Sequence, residues 1–534
     1  MSFDYVIVGA GSAGSVLAAR LSEMPEAQVL LLEAGGADSN PYIHMPVGFF
    51  KMTGGGLTWG YRTAPQRHAN NREIPYAQGR VIGGSSSINA QVFTRGCPED
   101  YDHWAKDLGC TGWSFEDVRP LFVRSEDNDT LGGPYHGIGG PLGVSTSAAH
   151  PLTRAFVQAC QQYGIPYNPD FNGRHQAGTA PYQSTTRNGR RCSAAVGYLR
   201  PAMGRKNLTI RKDVLVSRIV VENGRAVGVE IVEGGRPTVI RAGSEVIVSA
   251  GAIGSPKLLM LSGLGPADHL RPVGVPVVHD LPGVGQNFHD HYGVDIVHEL
   301  SGPYSLDKYN KLHWKALAGL EYLLFRKGPV ASTIVEGGAF WYAEKDAATP
   351  DLQFHFLIGA GVEKGVPSVP SGSGTTLNSY TLRPRSRGSI TLRSANPADA
   401  PVIDPNFLAD PYDVKVSTEG VRQSREIMSE PAMRRYVRKE HFPGDRARTT
   451  AELEAYVRQY GRTSYHPVGA CKMGVDAMAV VAPDLRVHGI DGLRVADSSI
   501  MPRVVSSNTN APSIMIGEKA SDLVRGNRTG RQAA

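Results

Sequence analysis

A histidine and two asparagines near the C-terminus are the side chains of this sequence best suited to chemistry. His466 lies in GRTSYHPVGACKMG, and Asn508 and Asn510 follow in SNTNAP. An imidazole has an unperturbed pKa close to neutral pH, so His466 can serve as a base that removes a proton. The segment around it is rich in glycine, and the same histidine could equally brace a loop. The residues alone leave both interpretations open.

The N-terminal residues have the pattern of a dinucleotide site. An apolar strand, YVIVG, leads into a glycine turn and a helix-like stretch, and the next strand, AQVLLLEAGG, ends at Glu33. Gly9 permits a tight turn, Gly11 lets the backbone approach a pyrophosphate, and Gly14 lets helix and strand pack closely. Glu33 can accept hydrogen bonds from ribose hydroxyls. This order of elements predicts a bound dinucleotide.

Two further glycine-rich stretches indicate a cofactor site. GRVIGGSSSINAQVFTRG clusters backbone N–H groups and hydroxyls suited to a pyrophosphate or a flavin edge, although a surface linker has a similar composition. SEVIVSAGAIGSPKLLMLSGLGP is typical of a strand, a small-residue turn and a helix that face the cofactor. Between them, residues 207–235 alternate apolar and polar side chains and predict a small β-meander.

Four motifs in this order resemble the glucose–methanol–choline (GMC) oxidoreductase family. They are VGAGSAG, GRVIGGSSSIN, GAIGSPKLLMLSGLG, and YHPVGACKMG followed by SNTNAP. The resemblance extends over essentially the whole chain and implies FAD as the cofactor and a small-molecule alcohol or sugar as the substrate. An NAD-dependent dehydrogenase would share the first motif but would not account for the second and third.

The resemblance implies an α/β fold in two parts. The FAD-binding, Rossmann-like domain is expected to be discontinuous and to comprise residues 1–155, 205–298 and 460–534. The substrate-binding domain, with an antiparallel sheet flanked by helices, is expected to take residues 156–204 and 299–459.

The resemblance also implies roles for the C-terminal side chains. Alcohol oxidation sends the hydroxyl proton to a base and the carbon hydride to flavin N5, and a polar group should hold the developing oxyanion. By the family pattern His466 is the base, and Asn510 donates a hydrogen bond to the substrate oxygen. Asn508 is a rival amide, and either asparagine could instead cap the helix that is predicted to begin at APSIM.

A larger set of residues is assigned to FAD, partly by the motifs and partly by the resemblance. They are Gly9, Gly11, Ser12, Ala13, Gly14, Glu33, Ala34, Trp59, Arg80, Val81, Gly83, Gly84, Ser85, Asn89, Val92, Val216, Ala250, Gly251, Asp497, Ser498, Asn510 and Ala511. Some family members attach FAD through a histidine just before the asparagine of the GGxSS loop. Ile88 takes that position here, so the FAD is expected to be non-covalent.

Within the family the chain is most similar to the branch that oxidises L-sorbose to L-sorbosone, on stretches such as NPYIHMPVGFFKMT and VEGGAFWY. In DLQFHF, Gln353 and His355 share one strand face, which suits a polyol or ketose, although a solvated face would look the same. Glu336 is a further candidate for substrate binding, or a structural carboxylate. The alternatives are oxidation of aliphatic, aromatic or choline-type alcohols, and a non-redox flavin-containing lyase.

The remaining features limit the partners. A net charge of +6 without a long block of like charge gives no indication of nucleic acid. The pair of histidines in HDH, His289 and His291, is too small a cluster to predict a metal site, and none is expected. A quinone or another electron acceptor is expected to re-oxidise the flavin. A monomer and a homodimer both fit.

Cysteine spacing and hydropathy indicate the compartment. The five cysteines are scattered without a CxxC pair, no apolar run reaches membrane-spanning length, and no signal peptide is recognisable. We therefore expect a cytoplasmic protein without a transmembrane segment, with peripheral membrane contact left open.

Overall fold

The computed structural model describes residues 3–146, 149–233, 235–362 and 365–532. Its helices are α1 Ser12–Leu21, α2 Pro41–His44, α3 Pro98–Lys106, α4 Phe115–Ser125, α5 Pro151–Tyr163, α6 Arg200–Ala202, α7 Gly251–Leu261, α8 Ala267–Leu270, α9 Leu312–Phe325, α10 Pro411–Ser429, α11 Pro431–Arg434, α12 Thr450–Tyr460 and α13 Asn510–Gln532. Its strands are β1 Phe3–Val8, β2 Val29–Leu32, β3 Tyr61–Arg62, β4 Pro75–Tyr76, β5 Glu126–Asn128, β6 Leu142–Val144, β7 Gly178–Pro181, β8 Thr186–Arg187, β9 Arg190–Arg191, β10 Leu208–Arg211, β11 Val216–Glu222, β12 Arg225–Glu233, β13 Arg236–Val248, β14 Leu264–Gly265, β15 His279–Asp280, β16 Tyr292–Leu300, β17 Val335–Trp341, β18 Leu352–Leu357, β19 Gly374–Thr381, β20 Ser389–Thr391, β21 Val402–Asp404, β22 Val437–Phe442, β23 Arg462–Thr463 and β24 Leu493–Val495.

A parallel sheet holds the dinucleotide motif. Its strands run in the order β10-β2-β1-β13, with β24 on the far side of β13, and all of these pairings are parallel. β2 is buried along its whole length, which explains its continuous apolar sequence VLLL, since helices cover both faces of such a sheet. The first glycine turn leaves the carboxyl end of β1, where open α/β sheets bind their ligands.

The predicted β-meander forms only in part. The stretch NLTIR, expected to begin it, is β10, which pairs in parallel with β2 in the main sheet. The antiparallel part consists of β11, β12 and the first half of β13. β13 serves both arrangements, because its residues 236–241 pair with β12 and its residues 242–248 pair with β1. Alternation along one strand cannot distinguish a parallel partner from an antiparallel one.

The second large sheet is antiparallel and separate from the sheet that holds the dinucleotide motif. Its order is β22-β16-β19-β18-β17-β7, with β23 beside β16, and α5 and α10 pack on it. The predicted α/β architecture with an antiparallel sheet flanked by helices is confirmed.

The predicted domain boundaries do not coincide with the two sheets everywhere. β16 and β23 begin inside the stretches assigned to the FAD domain, 205–298 and 460–534, yet both pair within the second sheet. The reason is that the chain crosses between the sheets through these strands. The division into two domains remains a prediction.

The cysteines and helices bear on the expected compartment. All five cysteines are buried free thiols. Among the described residues, no helix combines the length and the apolar character that a membrane span requires.

Candidate active site

A long cavity connects the two sheets. At one end it is lined by residues that follow β1 and β2, including Gly9 and Glu33. At the other end it is lined by Val335, His355 and Asn378, which belong to β17, β18 and β19. We call these the cofactor end and the reacting end.

Three glycines shape the first turn at the cofactor end. Gly9 has φ +102°, and a Cβ there would lie 2.4 Å from the carbonyl oxygen of Ser249. A Cβ on Gly14 would lie 1.9 Å from the carbonyl oxygen of Gly9, so only glycine allows α1 to pack this closely. Gly11 faces the cavity, and its missing Cβ would meet nothing within 4 Å. The backbone there is open to a ligand that approaches the N-terminus of α1.

The second glycine loop packs directly against the first. Gly84 has φ +54°, and a Cβ on it would lie 2.7 Å from the Cα of Gly11. Ser85 and Asn89 line the cavity next to it. The Asn89 side chain is held by Arg191, whose Nη1 donates to its Oδ1 over 2.6 Å. The two glycine loops contact each other through their backbones and leave a groove, the glycine cradle, that residues with larger side chains would fill. Such a groove, lined by backbone N–H groups, fits a pyrophosphate-containing cofactor.

Two carboxylates at this end are held by backbone N–H groups. Glu33 accepts from the N–H groups of Ala10 and Gly35, each at 2.8 Å, and burial raises its pKa. Asp497 accepts from the N–H of Gly251 at 2.9 Å and from Ser255 Oγ at 2.5 Å, and burial raises its pKa as well. These bonds fix the carboxylates at the cavity wall.

Most of the residues assigned to FAD line this cavity. They are Gly9, Gly11, Ser12, Ala13, Glu33, Ala34, Trp59, Gly84, Ser85, Asn89, Val92, Val216, Ala250, Gly251, Asp497, Ser498 and Asn510. The remaining five do not line it: Gly14, Arg80, Val81, Gly83 and Ala511. Arg80 covers the Trp59 ring, 5.0 Å from its centroid, and Gly83 donates its N–H to the Ala10 carbonyl over 2.8 Å. Arg80 and Gly83 thus contact Trp59 and the first glycine turn without lining the cavity themselves.

His466 is buried at the reacting end by a strained turn. Tyr465 before it has φ +64°, the left-handed region that is costly for a bulky residue and recurs at functional sites. The N–H of His466 donates to Oδ1 of Asp290 over 2.8 Å. Oδ2 of the same carboxylate accepts from Tyr76 and Thr463. The turn is thus tied to the buried HDH segment.

The hydrogen bonds of His291 fix the tautomer of His466. Nε2 of His291 lies 3.0 Å from the carbonyl oxygen of Leu382, which can only accept, so Nε2 carries the proton. Burial lowers the pKa of His291 to about 4, so the ring is neutral and its Nδ1 is an acceptor. His466 Nδ1, 3.1 Å away, must therefore be the donor. This leaves a lone pair on Nε2 of His466.

The lone pair of His466 meets an amide. Nδ2 of Asn508 lies 3.1 Å from Nε2 of His466. The orientation of this amide is fixed, because its Oδ1 accepts from Thr94 Oγ1 at 3.0 Å and from Gln353 Nε2 at 3.1 Å. Its Nδ2 consequently faces the histidine, at the wall of the cavity.

His466 contacts Asn508 in the structure and not Asn510, the partner that the family resemblance implies. Asn510 is the first residue of α13, and its Oδ1 accepts from Ser12 Oγ over 2.8 Å, at the N-terminus of α1. Asn510 therefore lines the cavity where two helix N-termini meet, at the cofactor end. The two asparagines stand only two residues apart, and the start of α13 separates their directions.

Burial keeps the site's imidazoles neutral. It lowers the pKa of His466 well below its ordinary value of 6.5, and the nearby His291 and His355 lower it further. The pKa of His355 falls to about 3 for the same main reason. At neutral pH the His466 ring is therefore unprotonated.

Of the three residues predicted to bind substrate, one lines the cavity. His355 does so, whereas Gln353 is fully buried behind it and holds Asn508 in place. Glu336 points to the opposite side of β17 and accepts from His150 N–H at 2.9 Å and Ser332 Oγ at 2.6 Å. Strand alternation explains this, since its neighbour Val335 faces the cavity.

Sequence reasoning did not find several residues at the reacting end. Arg462, Ser464 and Asn378 line the cavity there. The Arg462 guanidinium pairs with Asp295, with Nε 2.9 Å from Oδ2, and Nδ2 of Asn378 donates to the same carboxylate over 2.8 Å. The pairing of β16 with β19 and β23 brings these residues together, and no local motif announces it.

Charge is distributed unevenly along the cavity. Among the described lining residues, Glu33 and Asp497 are the acidic ones, and both lie at the cofactor end.

Among the described residues, no group of three or more histidine, cysteine or acidic side chains could hold a metal ion.

Family models settle the ancestry of this site. The N-terminal GMC oxidoreductase model matches residues 3–293, and the C-terminal GMC oxidoreductase model matches residues 384–517. The chain belongs to the GMC oxidoreductase family. GMC oxidoreductases bind FAD, which fits the glycine cradle, and this member is an oxidoreductase that acts on CH–OH groups.

Individual relatives of this GMC oxidoreductase cover nearly the whole chain. It is 44% identical to the oxygen-dependent choline dehydrogenase of Sinorhizobium fredii (strain NBRC 101917 / NGR234) over 530 residues, 98% of this chain and 96% of that protein. The crystal structure of pyridoxine 4-oxidase from Mesorbium loti has a TM-score of 0.89 and 32% identity, and covers 98% of this chain and 99% of its own. An Aspergillus oryzae RIB40 formate oxidase variant has a TM-score of 0.92 and 28% identity, with 99% of both chains covered.

These relatives bear on the expected branch. The family is confirmed, but curated relatives that are 43–44% identical to this chain are named oxygen-dependent choline dehydrogenases. The sequence stretches that indicated the sorbose branch therefore do not establish the substrate.

Proposed function

We propose that this protein is an FAD-dependent dehydrogenase in which His466 removes the hydroxyl proton of a primary alcohol. The observation that supports it is the 3.1 Å contact between Nε2 of His466 and Nδ2 of Asn508 in a cavity that continues to the glycine cradle. A substrate hydroxyl that reached both groups from the cavity would replace this direct contact, donating to Nε2 and accepting from Nδ2. FAD, when bound, supplies the acceptor for the carbon hydride.

The surrounding residues prepare His466 for this step. Its Nδ1–H is held by His291, so the proton can arrive only at Nε2. Its low pKa keeps that nitrogen unprotonated before the substrate binds. Asn508 would stabilise the negative charge that develops on the oxygen as the proton leaves, because its amide is held with Nδ2 beside Nε2 of His466.

For the substrate we propose a neutral, hydroxylated primary alcohol, with L-sorbose oxidised to L-sorbosone as the specific case. Support comes from the polar lining of the reacting end, where His355, Asn378 and Ser464 offer hydrogen bonds to several hydroxyls. Choline-type alcohols are the main competitor, since curated relatives carry that name. Against choline stands the described lining of this end, which has no carboxylate to face a quaternary ammonium, since Asp295 is already paired with Arg462.

We further propose that the FAD is held without a covalent bond. Ile88, at the position where some family members have the linking histidine, lines the cavity with an unreactive side chain. Acid precipitation of the purified protein should therefore release the yellow cofactor into the supernatant. Colour retained in the pellet would contradict this.

A quinone or similar compound is the proposed electron acceptor, and the cytoplasm the proposed compartment. The second point rests on the five buried thiols, which form no disulfide among the described residues and suit a reducing environment.

Anaerobic bleaching of the flavin tests the proposal. The protein is mixed under argon with L-sorbose, 1-hexanol, benzyl alcohol or choline, and then exposed to air or to a quinone dye. Bleaching by L-sorbose, with colour restored by the dye but not by air, is the expected result. Bleaching by choline alone would refute the proposed substrate and retain the role of His466. No bleaching by any of the four alcohols would refute L-sorbose as the substrate and make the non-redox lyase a competitor again.

A further inference from the structure

Helix α9 exposes apolar side chains to a degree unusual for a folded protein. It spans Leu312–Phe325, and only Ala318 and Tyr322 in it are buried. Most of its large apolar side chains are exposed: Leu312 83%, Trp314 39%, Leu317 56%, Leu320 54%, Leu323 65%, Leu324 64% and Phe325 66%. Single exposed leucines are ordinary, but a contiguous apolar patch of this kind marks an interaction surface.

The helical period shows that the pattern is inverted. Successive residues turn by about 100°, so Ala318 and Tyr322, four apart, mark the face that packs on the protein. The opposite half carries the leucines of α9: Leu312, Leu317, Leu320, Leu323 and Leu324. A surface helix of a globular protein normally turns its apolar stripe inward. Here the stripe faces outward and needs a partner.

The charges around α9 decide what that partner is. Basic side chains border it at both ends: Lys308, Lys311, Lys315, Arg326 and Lys327. Within residues 304–327 the acids are Asp307 and Glu321, and Asp307 is occupied by the backbone N–H groups of Gly374 and Ala360. An apolar face with a basic border complements an anionic lipid surface. A second copy of the chain would bring the same positive border against itself.

The aromatic residues of the patch support a lipid boundary. Nζ of Lys308 lies 5.7 Å from the centroid of the Trp314 ring, and Tyr309 packs edge-on against the same ring at 6.2 Å. Tryptophan, tyrosine and lysine each have an apolar body and a polar tip, which suits the depth where acyl chains meet headgroups.

We propose that α9 is an interfacial anchor that binds the surface of an anionic phospholipid bilayer. The helix has 14 residues, about 21 Å at 1.5 Å per residue, which is too short to span and suits a position in the membrane plane. Tyr322 also ties it to the main body, since its hydroxyl donates to the His44 carbonyl over 3.3 Å. The segment that follows His44 contributes Phe49 and Thr53 to the cavity wall, so the bilayer would lie beside the cavity.

Vesicle co-sedimentation of the FAD-loaded protein tests this anchor independently of the proposed substrate. The vesicles contain either phosphatidylcholine alone or phosphatidylcholine mixed with phosphatidylglycerol. The wild-type protein should pellet with the mixed vesicles and much less with phosphatidylcholine alone. A variant with Leu317→Ser, Leu320→Ser, Leu323→Ser and Leu324→Ser should bind the mixed vesicles at least about tenfold more weakly, because four apolar contacts with the acyl chains are lost.

Matched variants separate the patch from general effects. The variant Ile138→Ser, Val278→Ser and Val475→Ser removes exposed apolar side chains elsewhere, with exposures of 81%, 52% and 70%, and should bind vesicles like the wild type. Replacing Lys311 and Lys315 by glutamine should weaken binding about fivefold for each lysine and reduce its dependence on salt. Flavin absorbance of every variant confirms that the fold and its cofactor are retained.

Two outcomes would overturn the proposal. One is a wild-type protein that does not pellet with the mixed vesicles, or a leucine variant that pellets equally well. The other comes from sedimentation velocity. A wild-type dimer that the leucine substitutions convert to a monomer would show that a second copy covers α9.

Discussion

The two ends of the cavity differ in the charge of the groups that line them. At the cofactor end, glycine backbone, two helix N-termini and the backbone-held carboxylates Glu33 and Asp497 form a fixed polar frame. At the reacting end, a chain of neutral hydrogen-bonding groups runs from the backbone carbonyl of Leu382 through His291 and His466 to Asn508. The first arrangement suits an anionic cofactor that stays bound, and the second suits one proton that moves.

This difference indicates how substitutions should divide. Changes at the cofactor end should affect cofactor retention, whereas changes at the reacting end should affect the rate with the cofactor still bound. A substitution at the reacting end that released the cofactor, or one at the cofactor end that lowered only the rate, would contradict this division.

His466→Ala should have the largest effect. Without the base, kcat should fall by about 10²–10⁴-fold, while the flavin remains bound, since the contacts of His466 are with His291, Asp290 and Asn508. Stopped-flow bleaching with the preferred alcohol measures the rate, and flavin absorbance after gel filtration measures retention. Near-wild-type bleaching in the FAD-loaded variant would refute the role of His466 as the base.

Asn508→Ala and Asn510→Ala form a matched pair with the next largest effect. Loss of the Asn508 amide should lower kcat by about 10²–10³-fold, because it removes a donor aimed at the developing oxyanion. Asn510→Ala should leave kcat close to the wild-type value and instead weaken FAD retention, because its side chain bonds Ser12 at the start of α1. The reverse result would support Asn510 as the donor to the substrate oxygen, as the family resemblance implies.

The cofactor end could be predicted from sequence because it is built from local backbone rules. Gly9, Gly11 and Gly14 act within one turn, and a glycine is needed where a Cβ would collide with a carbonyl oxygen. The acid at the end of β2 follows from the same unit. Such motifs carry their geometry with them, whatever lies elsewhere in the chain.

The reacting end could be predicted only in part, because strand pairing assembles it. His466 was identifiable, but the choice between Asn508 and Asn510 depends on where α13 begins and how its first residue is turned. Glu336 was foreseeable as a buried carboxylate, yet its direction follows from the register of β17. Arg462 and Asn378 meet through Asp295 across three strands, a contact that no local pattern contains.

His291→Phe should have a smaller effect at the reacting end. Phenylalanine offers no acceptor for the Nδ1–H of His466, so the tautomer of His466 is no longer fixed. We therefore expect kcat to fall about tenfold with little change in KM. His289→Phe is the matched control, since that buried neighbour bonds Asn287 and Val504 and not His466. His291→Gln, whose amide oxygen can still accept, should recover part of the rate. Equal losses in the His291 and His289 variants would indicate a structural role only.

The smallest expected effect is a difference in how the two ends respond to acid. The pKa of His355 falls to about 3 in the folded protein and that of His291 to about 4, so from about pH 6.5 downward the unfolded chain binds protons that the folded one does not. The contribution of these neutral imidazoles to the free energy of unfolding should therefore be fully present above about pH 6.5. Below that pH it should decline by up to about 1.4 kcal/mol per imidazole and pH unit. For a chain of this length that corresponds to a fall in Tm of about 1 °C for each kcal/mol.

Glu33 should act in the opposite direction. Its pKa is raised in the folded protein, so as the pH falls the folded state binds this proton before the unfolded chain does. The resulting increase in stability appears as the pH falls toward the raised pKa. Thermal unfolding followed by flavin fluorescence across this pH range measures the sum. A His355→Gln variant should lose part of the acid sensitivity that the wild type shows below about pH 6.5, and Glu33→Gln should not. If Glu33→Gln removed that sensitivity and His355→Gln did not, the neutral imidazoles would not be the groups that make the reacting end sensitive to acid.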